Sequence, residues 1–180
     1  MINPAVFLQT VIDPSCAGLS GIMSRDMGGN QARVLLLAIS IQESGLAHRI
    51  QVGTAGQHAR GLWQFEKGGG VHGVCTHPAS KDVAGIVCEK LIVPFAELDI
   101  HQVIAWNDFL AAGFARLLLY TDPAPLPQLG DVIGAMNCYL RTWRPKGWEN
   151  PPPEITDRWV DSYMTALNTV MIPTGTGVGV

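Results

Sequence analysis

The chain has 180 residues, and its 12 Lys and Arg against 15 Asp and Glu give a net charge of −3. No basic run occurs, which argues against nucleic acid as the main partner, since phosphate binding depends on clustered cations. A hydrophobic share of 47% beside only 15% charged residues excludes a disordered chain and is enough for one buried core.

No stretch reaches the roughly 20 apolar residues that span a bilayer. Met1 to Ile12 carries no Lys or Arg and is interrupted by Asn3 and Pro4, so it lacks the basic start of a secretory signal. A route other than an encoded signal is therefore expected if the protein works outside the cell that makes it. Cys16, Cys75, Cys88 and Cys138 are widely spaced, with no C-x-x-C pair. Buried thiols are the simplest reading, and one disulfide stays open.

Asn3 and Pro4 form an N-cap and first-turn pair that opens a short helix to about Ile12. Asp13-Pro14 is expected to stop it and start another, running to about Met23. Residues 1–29 are thus expected as an N-terminal helical extension. Gly28-Gly29 breaks the chain, and Asn30 is placed to cap a helix from Gln31 to Gln42. That helix is apolar nearly all round, from Val34 through Ile41, and belongs at the centre of the fold.

From Gly45 to His77 periodicity is lost and glycine dominates. Loops this long are usually functional or disordered, and the embedded Leu62, Trp63 and Phe65 favour an ordered one. Thr76-His77-Pro78 is expected to open a helix to Leu91. A longer helix is expected from Ile100 to Tyr120, ended by the prolines between Asp122 and Pro127. Two more follow, Leu129 to Arg141 and Pro153 to Val170. The Gly/Thr-rich residues 173–180 read as a flexible tail after a domain of residues 1–172. The expected class is all-α.

Glu43 stands at the C-terminal end of the most apolar helix. The negative end of the helix and partial desolvation both raise a carboxyl pKa there, which is what a proton donor at neutral pH needs. An exposed Glu capping a helix end is the alternative. Its company decides between them: Gln42-Glu43-Ser44-Gly45-Leu46, then Gly61-Leu62-Trp63-Gln64-Phe65, then Ala135-Met136-Asn137-Cys138-Tyr139, then a final helix with Trp159 and Tyr163. In this order the chain resembles the catalytic domain of soluble lytic transglycosylases, relatives of goose-type lysozymes, over roughly Gln31 to Leu167. The resemblance implies a lysozyme-like helical domain with a long irregular loop.

It also implies roles. Glu43 matches the catalytic acid and base, and Ser44 the serine that holds cleft geometry near the leaving group. Gly61, Leu62 and Gln64 match a Gly-Leu-Met-Gln block whose glutamine binds sugar substituents. Trp63 stands at the methionine and would offer a flat ring to a sugar. Asn137 matches the asparagine that positions N-acetylmuramic acid, and Tyr163 the late tyrosine near the carboxylate. Met136 replaces a tyrosine, Tyr139 stands where glycine is frequent, and Leu46 replaces an aromatic residue.

The implied reaction cleaves the bond between N-acetylmuramic acid and N-acetylglucosamine in peptidoglycan without water, leaving a 1,6-anhydro end. One carboxyl group suffices, whereas ordinary glycosidases use two. Hydrolysis of the same bond is the alternative, with Glu66 or Asp82 activating water. A different class is a virion component that only docks on peptidoglycan. The resemblance and the missing signal point to a phage-encoded protein, in a virion beside other virion proteins or in the host cytoplasm as an endolysin, acting at the cell wall. No cofactor or metal is expected. His72, Cys75, His77 and Cys88 are zinc-type ligands, but at a spacing that fits no established site. Gly68-Gly69-Gly70 lacks the Lys-Ser/Thr of a phosphate loop. It reads as a turn, or as a lid with Lys67 or His72 meeting a substrate carboxylate. Trp106, Trp143, Trp148 and Trp159 read as core or interface residues, with cleft lining open for Trp143 and Trp148.

Overall fold

A computed structural model describes residues 1–50, 59–145 and 149–172; Trp148 and the tail 173–180 lie outside them. The described chain is helical throughout, with isolated β-bridges at Arg60 but no strand, so the fold is all-α.

Helix α1 runs from Pro4 to Met23. The Asn3 side chain accepts hydrogen bonds from the N–H groups of Ala5 and Val6 at its start, as the sequence suggests. Asp13-Pro14 does not end it. Leu8–Ile12 forms a π-turn instead, and the Asp13 N–H reaches back five residues to the Leu8 carbonyl. A proline ring clashes with the carbonyl four residues earlier in a regular helix, and a widened turn relieves that clash. By length and hydropathy α1 is apolar enough to cross a membrane. Here it buries Phe7, Leu8, Ile12, Cys16 and Leu19 in the same core as the rest of the chain, which makes it a wall of the domain and not an appendage.

Helix α2, Asn30–Ser44, is the central strut: Val34 to Ile39 are all buried. Its entrance is pinned to α1 by a two-pronged ion pair from Arg33 to Asp13, at 2.7 and 2.8 Å. Asn30 is its first residue and not its cap; that position falls to Gly29. The helix stops because Gly45 takes a left-handed conformation (φ +60°) and returns its N–H to Ile41. Glu43 therefore sits in the last turn.

The following loop is ordered where it is described. Arg60 and Phe65 exchange two backbone hydrogen bonds, closing a tight turn that buries Leu62, Trp63 and Phe65. Gly61 is required there: its φ is +73°, and a Cβ would lie 2.6 Å from the Ile104 carbonyl oxygen. The stretch expected to be irregular up to His77 also contains a π-turn, Lys67–Val71, and a short helix α3, His72–Thr76.

The helix expected from Thr76 begins later, as α4, Lys81–Lys90. His77 precedes Pro78 and is held extended (ψ 131°), so the chain turns before it can coil. The expected Ile100–Tyr120 helix is two, α5 (Glu97–Ile104) and α6 (Asp108–Tyr120), meeting at 118°. Asn107 makes the corner by capping α6, its side chain accepting from the Leu110 N–H. Helix α7, Val132–Trp143, is capped by Asp131, and α8, Pro153–Met171, lies along α2.

Candidate active site

Glu43 meets α7 through one short contact: the Tyr139 hydroxyl donates to its Oε1 at 2.6 Å. Tyr139 is held by stacking on Trp159 of α8, with ring centres 4.9 Å apart and planes within 10°. Trp159 is buried, leans on Tyr163, and donates its indole N–H to the Val132 carbonyl. Two helices thus supply an aromatic column whose polar tip is aimed at the carboxyl group.

The other side of Glu43 opens into a cleft of about 310 Å³, lined among others by Gln64, Glu66, Gly70, Trp143 and Arg144. Burial raises the Glu43 pKa to about 7, and Glu66 adds to the rise; the Tyr139 hydrogen bond and Arg158 offset part of it. Burial and the adjacent carboxylate push the Tyr139 phenol far above its ordinary pKa, so it remains a donor. A carboxyl that is half protonated near neutrality, on the floor of a cleft, can give a proton and take one back.

The other residues expected at the site divide sharply. Gln64 lines the cleft. It holds a left-handed backbone (φ 48°) and its amide donates to the carbonyls of Gly61 and His48, leaving Oε1 as its acceptor. Gly61 shapes the turn behind it. Ser44 is buried, donates to the Ser40 carbonyl and accepts from the Leu46 N–H, so its hydroxyl fixes the helix end. Leu62 and Trp63 are wholly inside the core. The Trp63 indole donates to the Leu36 carbonyl and its ring lies 5.4 Å from Phe7, so it offers no face to a sugar. Trp143 supplies the cleft's aromatic wall instead, its indole N–H bound to the Trp63 carbonyl.

Asn137 is exposed. Two residues from Tyr139 on one helix, it is turned about 200° away from the carboxyl. Tyr163 is buried with its hydroxyl accepting from the Gly130 N–H, so the tyrosine at Glu43 is Tyr139 and not Tyr163. The α7 residues at the site are Tyr139 and Trp143, and the i, i+4 spacing of these large side chains was the signal available for them.

Of the two further carboxylates, Glu66 lines the cleft, while Asp82 lies in the first turn of α4 and is not among the lining residues. Of the glycine run, Gly69 and Gly70 line the cleft, and a Cβ on Gly70 would fall 2.7 Å from the Phe65 ring. His72 is paired with Glu97 at 2.8 Å, outside the cleft. Trp106 is largely exposed. All four cysteines are free thiols, and among the described residues no three His, Cys, Asp or Glu side chains come together as a metal site. A scan against protein-family models finds no match for this chain, and searches of curated proteins and of solved structures find none either.

Proposed function

We propose that the cleft is a glycan-cleaving active site of lysozyme-like type that cuts peptidoglycan, with Glu43 as acid and then base. The observation that carries this reading is the Glu43 carboxyl itself: buried on one side, open to a cleft on the other, and with a pKa of about 7. The family resemblance supplies the substrate. Glu43 gives its proton to the glycosidic oxygen as the bond from muramoyl C1 to that oxygen breaks. Tyr139 then donates to the carboxylate that results, holding it in place. In the lytic transglycosylase reaction the muramoyl C6 hydroxyl attacks C1 and its proton passes to the Glu43 carboxylate. A 1,6-anhydro end forms and the acid is restored. Trp143 and Gln64 are the side chains available to pack on and bond to the sugars.

Glu66 favours a second reading, because it brings another carboxylate into the same cleft. Paired carboxylates across a scissile bond suit hydrolysis, with Glu66 taking a proton from the attacking water. Mass spectrometry of purified peptidoglycan after incubation with wild type and Glu43→Gln separates these readings. Anhydro-ended fragments, lost in the variant, are the expected result. Reducing-ended fragments that need both Glu43 and Glu66 would make the enzyme a lysozyme. No fragments, from folded protein on walls that a control enzyme digests, would refute the catalytic reading and leave a peptidoglycan-binding module.

A further inference from the structure

Trp106 is a large aromatic side chain that the fold leaves unused. Its residue is 70% exposed, and Phe109, three positions on, is 47% exposed. Neither belongs to the core cluster of the described residues. Burying such a ring is among the largest single gains a core can make, so folding alone gives no reason to display it. A lone exposed ring is ordinary on a protein surface. What sets this one apart is its mounting.

Trp106 stands at the corner between α5 and α6, and the backbone there is tied down. The N–H groups of Trp106 and Asn107 both donate to the Val103 carbonyl, and Asn107 caps α6. Arg49 grips the same corner, with both prongs of its guanidinium on Asp108 and one also on the Ala105 carbonyl. From Arg49 the path to the cleft is short. The Arg49 carbonyl accepts from the Gly61 N–H, and the neighbouring His48 carbonyl accepts from the side-chain amide of Gln64, which lines the cleft. The Gly61–Gln64 turn thus has one end at the cleft and the other against the Ile104 carbonyl of α5.

We propose that Trp106 is an outlying platform for a glycan strand that leaves the cleft past Gln64, its indole packing on the apolar face of a pyranose ring. This rests on the glycan reading of the cleft. A cleft of about 310 Å³ is small for a polymer, which must continue over its walls. An indole offers a wide flat surface at low conformational cost. Its surroundings suit a sugar better than a protein. Exposed His48 and Gln102 and half-buried Asn107 bring hydrogen-bonding groups to the corner, and the Arg49–Asp108 ion pair lies within it. The centre of a protein interface is instead depleted of charge.

The test uses the full chain carrying Glu43→Gln, so that bound glycan is not consumed, and peptide-free peptidoglycan glycan of two and of eight sugars. The indole N–H signals of Trp106 and Trp143 are followed by NMR. The octasaccharide is expected to shift both signals with one midpoint, and the disaccharide only that of Trp143. Trp106→Ala should lower the ratio of octasaccharide to disaccharide affinity about tenfold, and Trp106→Phe should lower it less. Both variants should unfold at the same denaturant concentration as their parent, because the ring is outside the core. A Trp143 shift with no Trp106 shift at either length would overturn the platform and leave the cleft reading standing. Shifts of neither signal would overturn both. An unchanged affinity ratio in Trp106→Ala would also overturn the platform. So would a Trp106 signal that moves with protein concentration alone, by showing that a second copy covers the ring.

Discussion

Replacing Glu43 by glutamine should stabilise the fold at alkaline pH and leave it nearly unchanged at acid pH. The carboxyl's pKa is about 7 in the folded chain against an ordinary value of 4.5. Between these values the folded state holds a proton that the unfolded state has released, so stability falls as pH rises from 4.5 to 7 and is level above that. The shift corresponds to about 3 kcal/mol at most, and the open cleft side of Glu43 lowers this to about 2 kcal/mol. Glutamine keeps an oxygen for the Tyr139 hydroxyl and carries no charge, so it escapes the loss. Denaturant unfolding of both proteins at about pH 4 and about pH 8 isolates the effect, because titration of every other group cancels in the difference. In thermal melts the gain at the higher pH is roughly 4–8 °C for a domain of this size. Parallel pH profiles for the two proteins would refute the assignment of a raised pKa to Glu43.

Other perturbations reach the site from its supports. Tyr139→Phe keeps the stack on Trp159 but removes the bond that favours the carboxylate. The basic limb of the rate–pH profile of peptidoglycan cleavage should therefore move upward, and kcat should fall by roughly tenfold. Gly61→Ala forces a side chain into a positive-φ position and against the Ile104 carbonyl, and should cost about 2–4 kcal/mol in denaturant unfolding. Trp143→Ala should raise KM for glycan fragments more than it lowers kcat, while Trp63→Ala should lower stability by about 3–5 kcal/mol, since one ring lines the cleft and the other fills the core.

What the sequence discloses about this molecule is what local chemistry determines. The apolar run from Val34 to Ile41 can only be a central helix, and Gly45 can end it one residue beyond Ser44, so the depth of Glu43 follows from a dozen neighbouring residues. The burial of Leu62, Trp63 and Phe65 is legible for the same reason. Features decided by contacts across the chain are not. Pro14 reads as a stop because its ring excludes a regular turn, yet core burial of Phe7, Leu8 and Ile12 on one side and Cys16 and Leu19 on the other outweighs one distorted turn. The Ile100–Tyr120 pattern keeps its apolar spacing through a 118° corner, because each half buries its own face; only Asn107 marks the change.

The same division runs through the site. A raised pKa at Glu43 is expected from the helix terminus and from burial, but in the folded chain burial dominates and the partners that tune it, Tyr139, Arg158 and Glu66, come from three other segments. The motif order points to Asn137 as the α7 residue that positions the sugar and to Tyr163 as the tyrosine near the carboxyl, while the folded chain turns Tyr139 toward the carboxyl and Asn137 toward solvent. The residue that carries a proton can be named from its own neighbourhood. The residues that set how tightly it holds that proton are chosen by which helix faces pack together, and here α8 makes that choice, by stacking Trp159 flat against Tyr139.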